Sequence, residues 1–479
     1  MKLQRARHFV DRPSVTGLIA QRLHDLLHSL PVIQCIINIY GVPGIGKTAL
    51  LAEMLATQQH EKRLISIGFS VDWLGQELQP AKVRFLKCFM GYAADLASDL
   101  GNTLEELSET SDEPMINHAL QALVVSLNTQ NRPILLVLDS WESVPEALFA
   151  WVERSLLLPL MRDAHLLCIL GSQAPLRWRQ FEVRRRVKAE PLTAFDIAAT
   201  SAQISQNGDV GKEIYAITFG HPLANEAIYR EVVQPGGSAP ELLQIVEQRR
   251  ADLAAMVVRK IYNRVEGGVS EELSQIFPVI ALFREFDIHT LRTVLPQFYP
   301  GFKNRSDSAL LLSIKQLLDT RLLEWSDHSR AYQLDQTMRK IFTRALSLDD
   351  PEHYARICDA AMSYYEQLIR EVPGNRNMYI VEFFYHSLYK GEPTLYNEKT
   401  IEDRLRQIIR TYYYSPDGRY RDDAELHQLR ARFLQDTELT MLLSSRNLEK
   451  NLFIRLIDEA LEAPLLHGSD RWPNVAALK

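Results

Sequence analysis

Cysteine is scarce in this chain, and long apolar runs are missing. Four cysteines occur among 479 residues, at Cys35, Cys88, Cys168 and Cys358, and none makes a CxxC pair. Such wide spacing offers neither a disulfide framework nor a zinc-ligand cluster, and fits buried thiols in a reducing compartment. The longest apolar stretch, around Val32 to Val42, is too short to cross a bilayer. The basic N-terminus, Met1 to Pro13, leads into no apolar segment of signal-peptide length. These absences predict a soluble cytoplasmic protein with no membrane partner. Charge of one sign is lacking too. The chain has 54 basic and 60 acidic residues and a net charge of −6, so no global basic field advertises nucleic acid. The run Arg184-Arg185-Arg186 is short and reads as a solvated face. Neither a short internal repeat nor a low-complexity tract is evident.

Apolar residues are what the chain does have: 46% of it, with aromatics spread throughout, enough for packed cores over about three domains. From Ser14 to Leu30 the residues Leu18, Ile19, Leu23, Leu26 and Leu27 recur at helical spacing. Val32–Tyr40 is a β-branched apolar run, followed by Gly41-Val42-Pro43-Gly44-Ile45-Gly46-Lys47-Thr48 and a helix-like segment to Thr57. Further runs of strand length stand at Leu64–Phe69, Ile134–Leu138 and Leu166–Leu170, separated by helix-like segments. An open parallel sheet with helices on both faces is the economical reading. The acid-rich stretch Thr103 to Pro114 reads as a surface loop and helix edge.

The pattern GxxxxGK[ST] should arise by chance in only roughly 2% of chains this long, and the strand before it and helix after it narrow that further. Each position has a reason. Gly41, Gly44 and Gly46 allow backbone conformations closed to other residues, so that N–H groups can approach phosphate. The helix starting near Lys47 adds its positive end. Lys47 supplies a point charge to the β- and γ-phosphates, and Thr48 a hydroxyl to Mg²⁺. With Val42, Pro43, Ile45 and Ala49 these residues form the expected cradle for ATP or ADP. A hydrolytic site of this kind also needs a carboxylate at the end of a neighbouring strand, and Ile134-Leu135-Leu136-Val137-Leu138-Asp139 provides it as the second metal-holding group beside Thr48. The position after that aspartate, often an acid that activates water, is Ser140. The next acid, Glu142, either takes that role or makes a salt bridge at a helix start, and slow hydrolysis is expected.

With those residues placed, the chain resembles the STAND class of AAA+-related signalling ATPases, relatives of the NACHT and NB-ARC proteins. Gly-Val-Pro-Gly-Ile-Gly-Lys-Thr is typical of that class, and Leu135-Val137-Leu138-Asp139-Ser140-Trp141-Glu142 resembles its second nucleotide motif. Phe9-Val10-Asp11-Arg12-Pro13 looks like its upstream motif, which implies that Arg12 lies beside adenine. Ile169-Leu170-Gly171-Ser172-Gln173 matches the strand that usually ends in Ser-Arg, with Gln173 replacing the arginine that senses the γ-phosphate. Glu190-Pro191-Leu192 is similar to the connector that follows. Gly220-His221-Pro222-Leu223-Ala224 resembles the Gly-x-Pro element, which implies that Pro222 packs near the base in a helical lid; His221 reads as structural, with nucleotide contact the alternative. The resemblance covers roughly residues 9–345.

It implies an α/β P-loop NTPase domain with a parallel sheet and helices on both faces, followed by a helical lid, a winged helix and a C-terminal all-α region. The expected boundaries are an N-terminal segment and helix, 1–30; the nucleotide-binding domain, 31–195; the lid, 196–262, interrupted at Asn207-Gly208 and Pro235-Gly236-Gly237; a winged-helix-like domain, 263–346; and a helical domain, 347–479. In the winged helix, helices near 271–283, 288–295 and 308–319 precede extended pieces at 322–326 and 332–334 around the turn Asp327-His328-Ser329-Arg330. The family often presents a histidine to ADP from this domain; Asp335 stands there instead. In the last domain Tyr354, Ile357, Ala361, Tyr364 and Leu368 share one stripe, and Val381–His386 reads as a packed aromatic helix.

The resemblance implies an ATP/ADP-dependent switch that changes conformation, or oligomerises with ATP, to control a separate protein partner or effector, with bacterial antiviral defence as a setting by family analogy. Two alternatives stay open. One is a DNA-dependent AAA+-type regulator, which the single Lys315 within the candidate recognition helix Ser308–Thr320 disfavours. The other is a nucleotide-stabilised scaffold with little turnover, which Ser140 and Gln173 permit.

Overall fold

The computed structural model describes residues 9–463 apart from 59–60, 93–95, 97–99, 131, 164, 206–207, 233–237, 266–267, 328, 391–397 and 418–419. Asn207, the Pro235–Gly237 break and His328 therefore lie outside the described residues. Contacts divide the chain into two compact units. One runs to Val269 and takes in Leu318–Leu322; the other comprises Ser270–Leu317 and the chain from Leu323 onward.

The first unit is built on a parallel sheet of β1 (Ile36–Tyr40), β2 (Ile65–Ser70), β3 (Ile134–Asp139), β4 (Leu166–Ser172) and β5 (Val187–Pro191), ordered β2-β3-β4-β1-β5. Ile36 pairs with Cys168 on one side and Val187 on the other, and Ser70 lies opposite Asp139. β4 thus separates the strand that feeds the glycine loop from the strand that ends in Asp139. β3 and β4 are buried along their whole length, which is why both read as continuous apolar runs. β5 escaped the sequence reading. It is an edge strand whose residues Val-Lys-Ala-Glu-Pro face partly to solvent, so it carries charge, and its terminal proline needs no ladder partner.

Alternation along β3 assigns its two faces. Ile134, Leu136 and Leu138 join a core with Phe85, Leu86, Ile116 and Leu123 from helices Leu78–Lys87 and Glu113–Asn128. Asp139 falls on the opposite face, where α2 (Lys47–Gln58) packs against β2, β3 and β4. Close packing there depends on glycine: a Cβ at Gly68 of β2 would collide with Leu55 of α2. α1 (Pro13–Leu27) starts on a proline and buries Val15, Ile19, Leu23 and Leu26. Among the described residues, five helices follow β5, from Ile197–Gln203 to Arg250–Tyr262.

The second unit holds helices Glu271–Ile280 and Ile288–Phe298, then an antiparallel ribbon of β6 (Leu323–Ser326) and β7 (Ala331–Leu334). The carboxylate of Asp335 accepts from the N–H groups of Thr337 and Met338 and caps helix Gln336–Asp349. It is spent on the helix start. Helices Pro351–Glu371 and Arg376–Lys390 pack on each other, burying Ile357, Ala361, Tyr364 and Leu368 on the anticipated stripe. Further helices follow to Glu462, with a bridge between Tyr414 and Arg421 as an extended interruption. The four cysteines carry no disulfide. No described helix is long and apolar enough to cross a membrane.

Candidate functional site

The chain leaves β1 at Tyr40 and enters a loop whose three glycines take positive φ: 155° at Gly41, 78° at Gly44 and 103° at Gly46. Only glycine holds such angles without strain. The loop's carbonyls are then tied down one after another. The Lys47 ammonium donates to Gly41 O at 2.6 Å and Val42 O at 3.2 Å. His221 approaches Pro43 O through Nε2 at 3.0 Å, and the N–H of Leu223 donates to Gly44 O at 3.3 Å. Arg12 donates to Ile45 O at 3.0 Å and, with its other arm, to Thr193 O at 2.7 Å. Its guanidinium lies 3.7 Å from the ring centroid of Phe195, and burial lowers its pKa to about 10.

At the end of β3 the Asp139 carboxylate accepts from Thr48 Oγ1 at 2.5 Å. Asp139 is 1% exposed and its Oδ1 has no hydrogen-bond partner. Burial pushes its carboxyl above the usual range, against the pull of Thr48 and Lys47. Burial lowers the Lys47 ammonium in turn, opposed by Glu142 and Asp139. An orphaned carboxylate oxygen next to a hydroxyl, in a buried site, is a donor set suited to a hard divalent cation. Mg²⁺ fits these two residues.

Ser140 adopts the left-handed region (φ 68°, ψ 40°) and starts a tight turn over Trp141–Ser143. That conformation is costly for a residue with a Cβ. It turns Trp141 into the aromatic cluster of Phe85 and Phe149 and leaves Glu142 on the cleft. Burial raises the Glu142 carboxyl, while Lys47 and a hydrogen bond from Gln173 oppose the shift. Glu142 is half-buried on the cleft, with Lys47 and Gln173 as the groups acting on its carboxylate.

These groups line one cleft of about 720 Å³. Its polar end holds Gly44, Gly46, Lys47, Thr48, Ala49, Asp139, Glu142 and Gln173. Phe9, Val10, Arg12, Phe195, Ile204, Pro222 and Tyr229 line it as well, and Arg230 and Arg264 are among its further lining residues. Of the residues chosen from the sequence, Gly41, Val42 and Ile45 are absent from the lining. They serve the loop through their carbonyls instead. Pro43 contributes to both.

Two residues with a part in the site were given no role by the sequence. Asn38 is fully buried in β1, donates to Ser172 Oγ at 2.9 Å and accepts from the Leu176 N–H at 2.9 Å. It braces the loop that carries Gln173. A lone amide inside an apolar run was the available signal. Gly171 of β4 sits where a Cβ would collide with Asp139 Oδ1 and approach Leu51 within 2.9 Å. No sequence signal marks it, because the contact crosses two strands. His221 was noticed, but not its contact with the loop.

No family model matches this chain, and no curated protein does. Solved structures are similar to it in part. One is a Signal Transduction ATPase with Numerous Domains (STAND) protein with a tetratricopeptide repeat sensor from Pyrococcus horikoshii, at 16% identity and a TM-score of 0.31, covering 96% of this chain and 59% of that one. This chain thus spans about three-fifths of that protein. The ORC2 protein of Aeropyrum pernix aligns at 13% identity and TM-score 0.40 over 74% of this chain and 96% of that one. The RuvB branch migration motor of Thermotoga maritima aligns at 13% and 0.28 over 69% and 94%. The first unit is an α/β P-loop fold in its own right: a parallel sheet in which β4 is set between the strand that feeds the glycine loop and the strand that ends in Asp139.

Proposed function

We propose that this chain is an ATP/ADP-dependent switch with slow turnover, which changes conformation or oligomerises to control a separate protein partner. The observation that carries the reading is the Thr48–Asp139 pair beside Lys47, in a cleft whose loop is bonded directly to the helical segment at His221 and Leu223. A cleft closed partly by a helical lid lets nucleotide contacts change how the lid is held. Adenine suits the lining of Phe195, Ile204, Pro222 and Tyr229, and the phosphates suit the N–H groups of Gly44 to Thr48.

Thr48 and Asp139 would hold Mg²⁺, which when bound neutralises phosphate charge. Lys47 can exchange its loop carbonyls for phosphate oxygens. Glu142, kept above its usual pKa by burial, is the group suited to orient and deprotonate an attacking water, with Gln173 fixing its carboxylate. Gln173 is neutral, so its help to the transferring phosphoryl group is smaller than an arginine's. That supports a slow enzyme. A DNA-dependent role gains nothing from helix Asp307–Asp319, whose exposed residues include Leu311 and Leu312.

The test is to purify wild type and Lys47→Ala, identify any co-purified nucleotide, and time ATP turnover with and without candidate partner proteins. Bound adenine nucleotide and slow, partner-stimulated turnover, both lost in Lys47→Ala, are expected. Bound nucleotide with no turnover under any condition would turn the reading into that of a scaffold. Salt-sensitive retention on DNA would favour the regulator. Failure of the wild type to hold nucleotide at millimolar ATP and Mg²⁺ would remove the function altogether.

A further inference from the structure

We propose that His221 is a positioning residue for the phosphate loop, acting on nucleotide affinity without touching nucleotide; the inference rests on the nucleotide-binding reading above. The argument is one of peptide planes. Within a trans peptide the C=O and the next N–H point in opposite directions, so a carbonyl held outward aims the following N–H inward. Pro43 O shares its plane with the Gly44 N–H, and Ile45 O shares its plane with the Gly46 N–H. The first carbonyl is held by His221 and the second by Arg12. The N–H groups of Gly44 and Gly46, which the nucleotide reading assigns to the phosphates, are therefore aimed by side chains from outside the loop.

The chemistry of the contact fixes the imidazole. A carbonyl only accepts, so Nε2 carries the proton and donates. Nδ1 is buried without a partner, and burial holds the ring neutral by lowering its pKa to about 4. Space is fixed too: a Cβ at Gly44 would lie 2.9 Å from His221 Cε1 and 2.8 Å from Leu223. Histidine and loop are thus fitted to each other, and the donor at Nε2 is what a substitution can remove.

The experiment titrates a fluorescent ADP analogue with Mg²⁺ into wild type, His221→Leu and His221→Gln. His221→Leu should weaken binding about tenfold, the scale of one lost buried hydrogen bond. His221→Gln, which keeps an N–H donor, should recover most of that loss. Equal affinity of His221→Leu and wild type overturns the proposal. So does equal damage in both variants, since that reports side-chain shape rather than the donor. Should neither variant fold, hydrogen exchange on the wild type decides. ADP should slow residues 42–47 and 220–226 together, and slowing of the loop alone overturns it. A wild type that binds no ADP removes the nucleotide reading itself, a result distinct from unchanged affinity in His221→Leu alone.

Discussion

At the scale of single residues, burial and charge work against each other in the cleft. Asp139 and Glu142 both have carboxyls raised by burial, with Lys47 as the cation acting on each. The buried Asp139 and the half-buried Glu142 thus share one ammonium. Asp139→Asn keeps an acceptor for Thr48 and removes a buried charge, so it should stabilise the ligand-free protein by about 1 kcal/mol. The same change should abolish the added stability that ADP with Mg²⁺ confers on wild type. Melting curves with and without ADP and Mg²⁺ check both halves, and a less stable Asp139→Asn would contradict the first. Two buried histidines make a pH prediction. Burial lowers His221 to about 4 and His386 to about 3, whereas both regain a value near 6.5 in the unfolded chain. The unfolded state then binds more protons below about pH 6.5, so stability falls as pH drops from there toward 4. Each histidine contributes on the order of 3 kcal/mol over that fall. His386 stacks on Tyr365 with neither ring nitrogen bonded, so His386→Phe should flatten the pH dependence measured by urea unfolding.

At the scale of elements, β4 decides whether the site can exist. It lies between β1 and β3, and Gly171 leaves the space that the Asp139 carboxylate occupies. Gly171→Ala should lower Mg²⁺-dependent nucleotide affinity by tenfold or more, because the added methyl displaces a buried, hydrogen-bonded carboxylate. Calorimetric titration with ADP checks it. The control is Gly17→Ala in α1, where a Cβ meets nothing within 4 Å and helix propensity predicts about 0.5–1 kcal/mol of stabilisation. Elements also mark how far sequence could be read. Four strands were legible because strands buried on both faces are apolar throughout, and the glycine loop because phosphate geometry demands those residue types in that order. β5 was not, since an edge strand tolerates lysine and glutamate. Gly171 and the His221–Pro43 bond were not, since each joins residues far apart in sequence that meet only after the sheet and its following helices have formed.

At the scale of the whole molecule, the two units are held by different means. The first rests on an apolar core around its sheet. The second adds an ionic cluster around the buried Arg339 and the half-buried Arg284. Arg284 binds both oxygens of Glu382 and one oxygen of Asp436, and lies 4.3 Å from the ring centroid of Tyr385. Arg339 binds both oxygens of Glu438 and the hydroxyl of Tyr385. Burial raises the Glu382 carboxyl even with Arg284 against it. Arg284→Met would leave the half-buried Glu382 without its cation and Asp436 with only its helix cap, and should destabilise by about 3 kcal/mol. Differential scanning calorimetry should resolve this as an early transition, and an unshifted trace would count against a structural role for the cluster. Only the aromatic character of Val381–His386 was visible in sequence; that Glu382 among them answers an arginine almost a hundred residues upstream was not.

The tethered carbonyls of the glycine loop have a kinetic consequence. A loop already held in its anion-receiving shape spends little conformational entropy when phosphate arrives. Encounter then sets the association rate, and differences in affinity among variants show up in how long the nucleotide stays. For the proposed switch this would amount to a timer: the dwell of ADP, set in part by the His221 side chain, which lines no part of the cleft, would determine how soon the chain can be reloaded.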